Sequence, residues 1–161
     1  MKRLTHINEA GKARMVDVSD KPVTIREATA RGSVVMQVRT LKLIQANEIA
    51  KGDVLGAARV AGIMAAKKTS EIIPLCHPLN ISSVQIHFRV DQGKQRITIE
   101  ACAKVPGQTG VEMEALTAVS AAALTIYDMC KAVDKEMVIS DIMLVEKTGG
   151  RSGVFKRKEK S

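Results

Sequence analysis

Residues 83–94, S-V-Q-I-H-F-R-V-D-Q-G-K, decide the fold of this 161-residue chain. Apolar residues alternate with polar residues from Val84 to Val90, which is typical of a strand that buries one face. Asp91 to Lys94 predicts a hairpin turn, and the alternation resumes from Ile97 to Val105 on a second strand. The apolar face of such a hairpin has to be covered by other elements of the fold.

One strand and one long helix are predicted on each side of this hairpin. Upstream, the β-branched stretch Ser33 to Val38 predicts a strand, and Val54 to Ala66 predicts a helix that is apolar nearly all round and begins after the N-cap Asp53. Downstream, a helix is predicted from Gly110 to Val133 and a strand from Met137 to Val145. The order β-α-β-β-α-β indicates an α+β, ferredoxin-like fold, with an antiparallel sheet and both long helices on one face.

The composition of the helices bears on their packing. Gly56 and Gly62 lower the stability of the first long helix, so we expect a neighbouring element to pack closely against both. A further short helix is predicted at residues 41–47. Two helices that are apolar nearly all round present more apolar surface than one sheet can cover. We therefore predict a homo-oligomer.

Three regions follow from this pattern. Residues 1–32 are predicted to form an irregular, polar N-terminal arm, and residues 33–146 form the ferredoxin-like catalytic domain. Residues 147–161 form a Gly-rich basic loop and a C-terminal tail. The tail sequence K-R-K-E-K at residues 156–160 is typical of a solvated, frayed terminus.

The composition narrows the class of protein. A formal net charge of +8 favours an anionic partner, but aromatic residues make up only 2% of the chain, which leaves few rings on which the bases of a nucleic acid could stack. No apolar run is long enough for a membrane span, and the N-terminus lacks a signal-peptide core. The three cysteines are odd in number and form no C-x-x-C, which favours reduced thiols and a cytoplasmic location.

Asp128 and Lys131 give the sharpest chemical signal. They follow an uncharged stretch at residues 115–127 and lie three residues apart, on neighbouring positions of one helix face. Close together, each group would favour the charged form of the other, whereas burial alone would push the lysine towards neutrality. A lysine of that kind can exchange protons near neutral pH. The same pattern also fits a structural ion pair at an exposed helix end, and the spacing alone leaves this alternative open.

Other candidates lie near the start of the second long helix. Thr109 and Glu112 match a capping box, and Glu114 suits the positive end of the helix dipole. His77 stands in a short loop stiffened by prolines on both sides, so its imidazole is either a fixed proton carrier or a packed core side chain. Cys76 and His77 lack the paired spacing of zinc ligands, which argues against a metal site.

Two further features suit an anion. In K-T-G-G-R-S-G, residues 147–153, glycine amides can converge between Lys147 and Arg151 around a phosphate. This stretch does not match the P-loop pattern, and a flexible basic terminus is the alternative. Lys51 precedes the first long helix, whose N-terminus can hold an anion, although an ordinary surface lysine fits equally well.

Long segments of the chain together resemble one family, the cyclic pyranopterin monophosphate synthases, which are the accessory protein C of molybdenum cofactor biosynthesis. The matching segments are L-T-H-I-N (4–8), M-V-D-V-S (15–19), K-G-D-V (51–54), I-P-L-C-H-P-L (73–79), T-G-V-E-M-E-A-L-T-A (109–118), A-A-L-T-I-Y-D-M-C-K-A-V (122–133) and K-T-G-G-R-S-G (147–153). They span nearly the whole chain, and P-L-C-H-P and Y-D-M-C-K-A are long and specific.

The resemblance implies a lyase that converts 3′,8-cyclised 7,8-dihydro-GTP, the product of a radical partner enzyme, to cyclic pyranopterin monophosphate and pyrophosphate. It also implies a ferredoxin-like fold and a hexamer, arranged as a trimer of dimers, with active sites at subunit interfaces. No cofactor is expected, apart from Mg²⁺ carried by the triphosphate. The expected partner is this small nucleotide-derived substrate, and neither nucleic acid nor a membrane.

The resemblance assigns roles to individual residues. Asp128 and Lys131 match the catalytic positions of the family, and Lys51 completes the predicted catalytic set. The predicted substrate-binding residues are Leu75, Cys76, His77, Glu112, Met113, Glu114, Arg26, Lys67, Lys147 and Arg151. We hypothesise that Lys131 and Asp128 form a coupled proton-transfer pair. Lys51 and His77 would donate to developing negative charge, and the cations of the binding set would hold the triphosphate.

A nucleic-acid-binding module is the alternative from another class, because ferredoxin-like sheets with basic charge also occur in RNA-recognition domains. That function needs aromatic residues on the open face of the sheet. Phe88 instead alternates with the apolar, buried set. A purely structural scaffold is disfavoured by the charged pair Asp128 and Lys131.

Overall fold

The computed structural model describes residues 11–158. Its elements in chain order are β1 (Thr24–Val35), α1 (Val38–Gln45), α2 (Val54–Lys67), α3 (Thr69–Ile72), β2 (Ser83–Asp91), β3 (Arg96–Gly107), α4 (Glu112–Cys130), β4 (Val138–Thr148) and β5 (Phe155–Lys156). The resembling segment at residues 4–8 and the tail residues 159–161 lie outside the described residues. Between residues 11 and 158, no helix combines the length and apolar character needed to cross a membrane.

The predicted hairpin is present and forms one side of the sheet. β2 pairs antiparallel with β3, with Val84 opposite Ala103, and the Lys94 amide donates to the Asp91 carboxylate at 3.0 Å in the turn. Ile86 of β2 is buried, as the alternation predicts. All strand pairs are antiparallel, and the strands lie in the order β2-β3-β1-β4-β5. The predicted α+β class with an antiparallel sheet is confirmed.

Both long helices lie on one face of this sheet. α4 packs across β1, β3 and β4, while α2 packs beside α4 and against β2. The two helices are antiparallel, because Lys51, just before α2, contacts Asp128 near the end of α4, and Gly62 lies against Ala118. The C-terminal end of α2, with Lys67, is therefore directed towards the start of α4.

The two glycines of α2 have different explanations. A β-carbon at Gly62 would lie 2.8 Å from the Ala118 carbonyl oxygen and would also collide with Ile86, so the predicted close packing is confirmed there. A β-carbon at Gly56 would instead meet the carboxylate of Asp53. Asp53 caps the helix by accepting the Gly56 amide at 2.9 Å. The predicted N-cap is therefore confirmed, whereas close packing of a neighbouring element against Gly56 stays a prediction.

The first strand is longer than predicted. β1 begins at Thr24 rather than Ser33, so the irregular conformation predicted for residues 1–32 is wrong for residues 24–32. Ala28 and Ala30 are buried in this strand. Alanine is a weak strand former, and the sequence pattern therefore does not reveal the extension.

The C-terminal end also contains more regular structure than predicted. β4 continues to Thr148, and β5 pairs with it, Phe155 lying opposite Lys147. The frayed terminus predicted from residue 156 is therefore wrong for Lys156, which belongs to β5, and the Arg157 amide donates to the Val145 carbonyl oxygen at 2.8 Å. The division of the chain into arm, domain and tail stays a prediction.

The capping box predicted at Thr109 and Glu112 is wrong. α4 begins at Glu112, its N-cap residue is Val111, and no side chain accepts a capping hydrogen bond. The Glu112 carboxylate instead lies close to Gly110 and lines the two cavities described below.

Replacing Gly62 by alanine should lower the free energy of unfolding by roughly 1–3 kcal/mol, because the added methyl group forces α2 away from α4. Gly93→Ala is the control, since a β-carbon there meets only the Asp91 carboxylate, at an ordinary 3.5 Å. Urea unfolding of both variants and the wild type measures the difference. Equal stabilities of the two variants would contradict the close packing at Gly62.

Candidate active site

The predicted site residues gather at the two ends of α4. Asp128 and Lys131 lie at its C-terminal end, whereas Glu112, Met113 and Glu114 form its first turn. At a rise of 1.5 Å per residue, Glu114 and Asp128 are about 21 Å apart along the helix axis. Within one chain the two groups of residues are therefore separate.

A carboxylate between two ammonium groups forms the C-terminal cluster. Asp128 Oδ1 lies 2.7 Å from Lys131 Nζ, and Oδ2 lies 2.8 Å from Lys51 Nζ. Lys51 Nζ also donates to the backbone oxygen of Asp128 at 2.9 Å. Hydrogen bonds from Lys131 and Lys51 lower the pKa of Asp128 to about 2, and the bond to Asp128 raises the pKa of Lys131. Near neutral pH, Asp128 is therefore ionised and Lys131 is protonated.

In the single chain, the side chains of this cluster are exposed to solvent. The exposed fraction of the side chain is 57% for Asp128, 53% for Lys131 and 47% for Lys51. The expectation that burial pushes Lys131 towards neutrality is wrong for the single chain, because an exposed ammonium beside a carboxylate retains its proton. The predicted contact between Asp128 and Lys131 is confirmed, and their catalytic role stays a prediction.

At the other end of α4 lies a cavity of about 380 Å³, the histidine cavity. It is lined by Val16, Val18, Lys21, Leu75, Cys76, His77, Leu79, Thr109, Gly110, Glu112, Met113 and Glu114. His77 Nε2 lies 2.8 Å from the backbone oxygen of Val16, and because a carbonyl oxygen only accepts, Nε2 is the donor. The structure thus brings together six of the predicted binding residues and holds the imidazole in one orientation.

Glu114 is the buried carboxyl group of the histidine cavity, with 3% of its surface exposed. Burial raises the pKa of Glu114 to about 7. A hydrogen bond from its own backbone amide to the carboxylate opposes this rise, and the charge of Glu112 adds a smaller one. Burial also raises the pKa of the Cys76 thiol. Near neutral pH the cavity therefore contains a carboxyl group that can either donate or accept a proton.

Two cavities adjoin the histidine cavity beside the predicted phosphate loop. The glycine cavity, of about 180 Å³, is lined by Lys21, Arg26, Glu27, Gln108, Thr109, Gly110, Val111, Glu112, Lys147, Thr148, Gly149 and Ser152. The arginine cavity, of about 450 Å³, is lined by Lys21, Pro22, Thr24, Arg26, Gly150, Arg151 and Ser152. Because they share Lys21, Arg26 and Ser152, the two cavities adjoin each other along the predicted phosphate loop.

The predicted phosphate loop folds against Arg26. Gly149 and Gly150 have φ values of +88° and +72°, a conformation that glycine adopts most readily. A β-carbon at Gly149 would also collide with the backbone oxygen of Ile25, and one at Gly150 would collide with the Arg26 guanidinium. The two glycines therefore allow the loop to approach Arg26 closely.

Arg26 retains its charge for a ligand. Its Nε and Nη2 atoms donate to the backbone oxygens of Gly107 and Gln108, both at 3.1 Å, and these acceptors are neutral. Lys147 Nζ donates to the hydroxyl of Ser152, which is also neutral. The guanidinium and the ammonium are thus held in place without being neutralised by these contacts.

One predicted binding residue lies away from these cavities, and two residues that line them were not predicted. Lys67 is exposed at the end of α2 and lines none of the histidine, glycine and arginine cavities. Lys21 and Gln108 line the site but were not predicted. Lys21 lies two residues beyond the M-V-D-V-S motif, whereas no feature of the sequence singles out Gln108.

Among residues 11–158, no group of three or more His, Cys, Asp or Glu side chains could hold a metal ion, and the three cysteines are free.

The raised pKa of Glu114 makes stability depend on pH. The folded carboxyl group holds its proton more tightly than the unfolded chain does, so this contribution is fully present below about pH 4.5 and is lost as the pH rises to about 7. The amide side chain of the Glu114→Gln variant does not titrate, so the stability of this variant does not change through this group. We expect the melting temperature of the wild type, relative to Glu114→Gln, to fall across this range and then level off.

Thermal melts of both proteins between pH 4 and 8 test this expectation, with the exposed Glu48→Gln as a control for the amide substitution itself. Carbon NMR of the Glu114 carboxyl group gives the midpoint directly. A midpoint at the ordinary value of 4.5 would contradict the assignment.

Comparison with known proteins identifies the family. The MoaC family model matches residues 15–150. A cyclic pyranopterin monophosphate synthase of Pelotomaculum thermopropionicum is 61% identical, over 98% of this chain and 93% of its own. Those of Heliobacterium modesticaldum and Chloroflexus aurantiacus are 62% and 64% identical, covering 99% and 96% of this chain and 100% and 94% of their own. As the resembling motifs predict, the chain belongs to the MoaC family.

Proposed function

We propose that the protein is a lyase of molybdenum cofactor biosynthesis that converts 3′,8-cyclised 7,8-dihydro-GTP to cyclic pyranopterin monophosphate and pyrophosphate. The family and the names of its relatives support this function. The observation that carries it in the structure is the adjacency of two unlike surfaces. A cavity with the buried carboxyl group of Glu114 adjoins a surface with the cations Lys21, Arg26, Lys147 and Arg151.

This adjacency fits the two parts of the substrate. The purine-derived rings occupy the histidine cavity, where Glu114 and His77 offer hydrogen bonds of both kinds to ring nitrogens and oxygens. The triphosphate lies on the glycine and arginine cavities, where the guanidinium of Arg26 suits phosphate oxygens in a bidentate fashion. Mg²⁺ would be carried mainly by the phosphates.

The chemistry requires protons to move while the rings open and close. In the last step a sugar hydroxyl oxygen attacks the α-phosphorus. A new O–P bond forms, the bond from the α-phosphorus to its bridging oxygen breaks, pyrophosphate leaves, and a base takes the hydroxyl proton. Lys131 and Asp128 act as a coupled pair in these transfers, and desolvation by the substrate and a second subunit lowers the pKa of Lys131 into the working range.

A second copy of the chain brings this pair to the cavities. The separation of about 21 Å between the two ends of α4 keeps them apart within one chain. Exposed apolar side chains on α2 and α4, namely Val60, Met64 and Leu124, offer a surface for another copy to cover. We therefore propose that the ferredoxin-like chains assemble as a hexamer, a trimer of dimers, whose sites combine residues of two subunits.

The biological setting follows from the substrate. A radical enzyme must supply the cyclised nucleotide, and we place both proteins in the cytoplasm. The alternative of RNA binding is less well supported, because Phe88 packs against the core and beneath the Arg59 guanidinium, 5.4 Å from the ring centre, rather than on an open sheet face.

Lys131→Ala is expected to lower kcat by roughly 10²–10⁴-fold, the usual effect of losing general acid–base assistance. The assay incubates the protein with the cyclised nucleotide and follows pyrophosphate and the fluorescent oxidised pterin. Lys135→Ala removes an exposed lysine beyond the same helix end and should retain the wild-type rate.

Sedimentation of each variant checks that the assembly persists. A wild-type rate in Lys131→Ala would remove this residue from the mechanism. Absence of both products with the wild-type protein would reject the function itself.

A further inference from the structure

Lys21 occupies a central position among the three cavities. It is the one described residue that lines the histidine, glycine and arginine cavities together. A cation at this junction can reach an anion in any of them. The contacts that place Lys21 there therefore bear on how the site binds its ligand.

The segment that carries Lys21 forms neither a helix nor a strand. Its shape comes from local hydrogen bonds: the Ser19 amide and hydroxyl donate to Asp17 Oδ1 at 2.9 Å and 2.7 Å, and the Lys21 amide donates to the Val18 carbonyl oxygen at 2.9 Å. These bonds shape the turn, but they do not attach it to the sheet or to α4. Attachment requires contacts with residues far away in the chain.

Gln108 supplies that attachment. Its Nε2 donates to the backbone oxygens of Ser19, at 3.1 Å, and Lys21, at 2.9 Å. The backbone oxygen of Gln108 accepts from Arg26 Nη2 at 3.1 Å. One residue of the β3–α4 loop thus fixes the turn that carries Lys21 relative to the Arg26 guanidinium.

The charge of Lys21 is available to a ligand. Among residues 11–158, Lys21 makes no ion pair, and Arg26 donates to neutral carbonyl oxygens. The arginine cavity contains Lys21, Arg26 and Arg151 and no carboxylate in its lining, whereas Glu27 and Glu112 line the glycine cavity. An extended anion is therefore best accommodated along the side of Lys21 that faces the arginine cavity.

We propose that Gln108 is a positioning residue of the phosphate site: its side-chain amide holds the turn that carries Lys21, one of the cations of the proposed phosphate surface, in place for the phosphate chain of the substrate and the pyrophosphate product. The identity of the anion rests on the proposed function. The dependence of anion binding on Gln108 acting through Lys21 rests on the contacts alone.

A double-mutant cycle on the full-length protein tests this inference. Titration calorimetry with sodium pyrophosphate, without divalent cations, measures the Kd of the wild type, Lys21→Ala, Gln108→Ala and the double variant. Lys21→Ala should raise Kd on the order of tenfold, as expected for one charge-assisted contact. Gln108→Ala should raise Kd several-fold on its own but add nothing in the Lys21→Ala background, because it acts through Lys21.

Gln92→Ala and Lys94→Ala, in the exposed β2–β3 turn, are matched controls and should leave Kd unchanged. An unchanged Kd in Lys21→Ala would overturn the inference, and so would additive effects of the two substitutions. In turnover assays Lys21→Ala and Gln108→Ala should raise KM for the cyclised nucleotide more than they lower kcat. A loss confined to kcat would also contradict the inference.

Failure of the inference and failure of the proposed function can be told apart. If wild-type protein forms the pterin product but its pyrophosphate affinity is insensitive to Lys21, only the inference fails. If pyrophosphate binding shows the expected coupling but the cyclised nucleotide is not converted, the anion site stands and the proposed function fails. Melting temperatures of all variants show whether a change in Kd reflects loss of the fold, and a Gln108→Ala effect that persists in a protein of wild-type melting temperature supports positioning.

Discussion

The packing of α4 against the sheet is the constraint on which both halves of the site depend. The buried face of α4 consists mainly of small apolar residues, among them Ala115, Ala118 and Ala122. Neighbouring elements therefore approach the helix closely. Gly62 of α2 lies against the Ala118 carbonyl oxygen, and Gly32 of β1 lies against Val119. The uncharged, tightly packed middle of this helix acts as a rigid spacer. It fixes the acidic first turn and the charged last turn at opposite ends.

The same helix gives its two ends contrasting electrostatics. At the first turn Glu114 is withdrawn from water, and burial raises its pKa to about 7. At the last turn Asp128 is exposed between two ammonium groups, which lower its pKa to about 2. The buried end can therefore change its protonation state near neutral pH, while the exposed end keeps full charges until something removes the surrounding water. The difference in exposure between the two ends of α4 thus gives their carboxyl groups different protonation states near neutral pH.

The sequence is informative where periodicity or a specific motif is present, and less so where conformation is imposed from elsewhere. The β2–β3 hairpin, α2 with its cap Asp53, and the contact of Asp128 with Lys131 follow from alternation, capping and helical spacing. β1 is underestimated because alanines, Ala28 and Ala30, take buried positions in the part that precedes Ser33. The capping box fails because Glu112 lies towards the cavities. The pKa of Lys131 could not be predicted, because it depends on exposure, which tertiary structure sets and spacing does not encode. Gln108 leaves no pattern at all, since its role lies in a contact with residues far away in the chain.

The segment containing Val16 and Lys21 shows why such contacts matter for a site that must admit a large ligand. It lacks regular secondary structure, and side-chain hydrogen bonds from elsewhere in residues 11–158 hold Val16 and the turn at Lys21: His77 donates to Val16, and Gln108 donates to Ser19 and Lys21. Each such hydrogen bond contributes about 0.5–1.5 kcal/mol net, far less than the global stability of a domain. Local opening of such a segment costs less free energy than global unfolding. The segment can therefore move without disturbing the packing of α4.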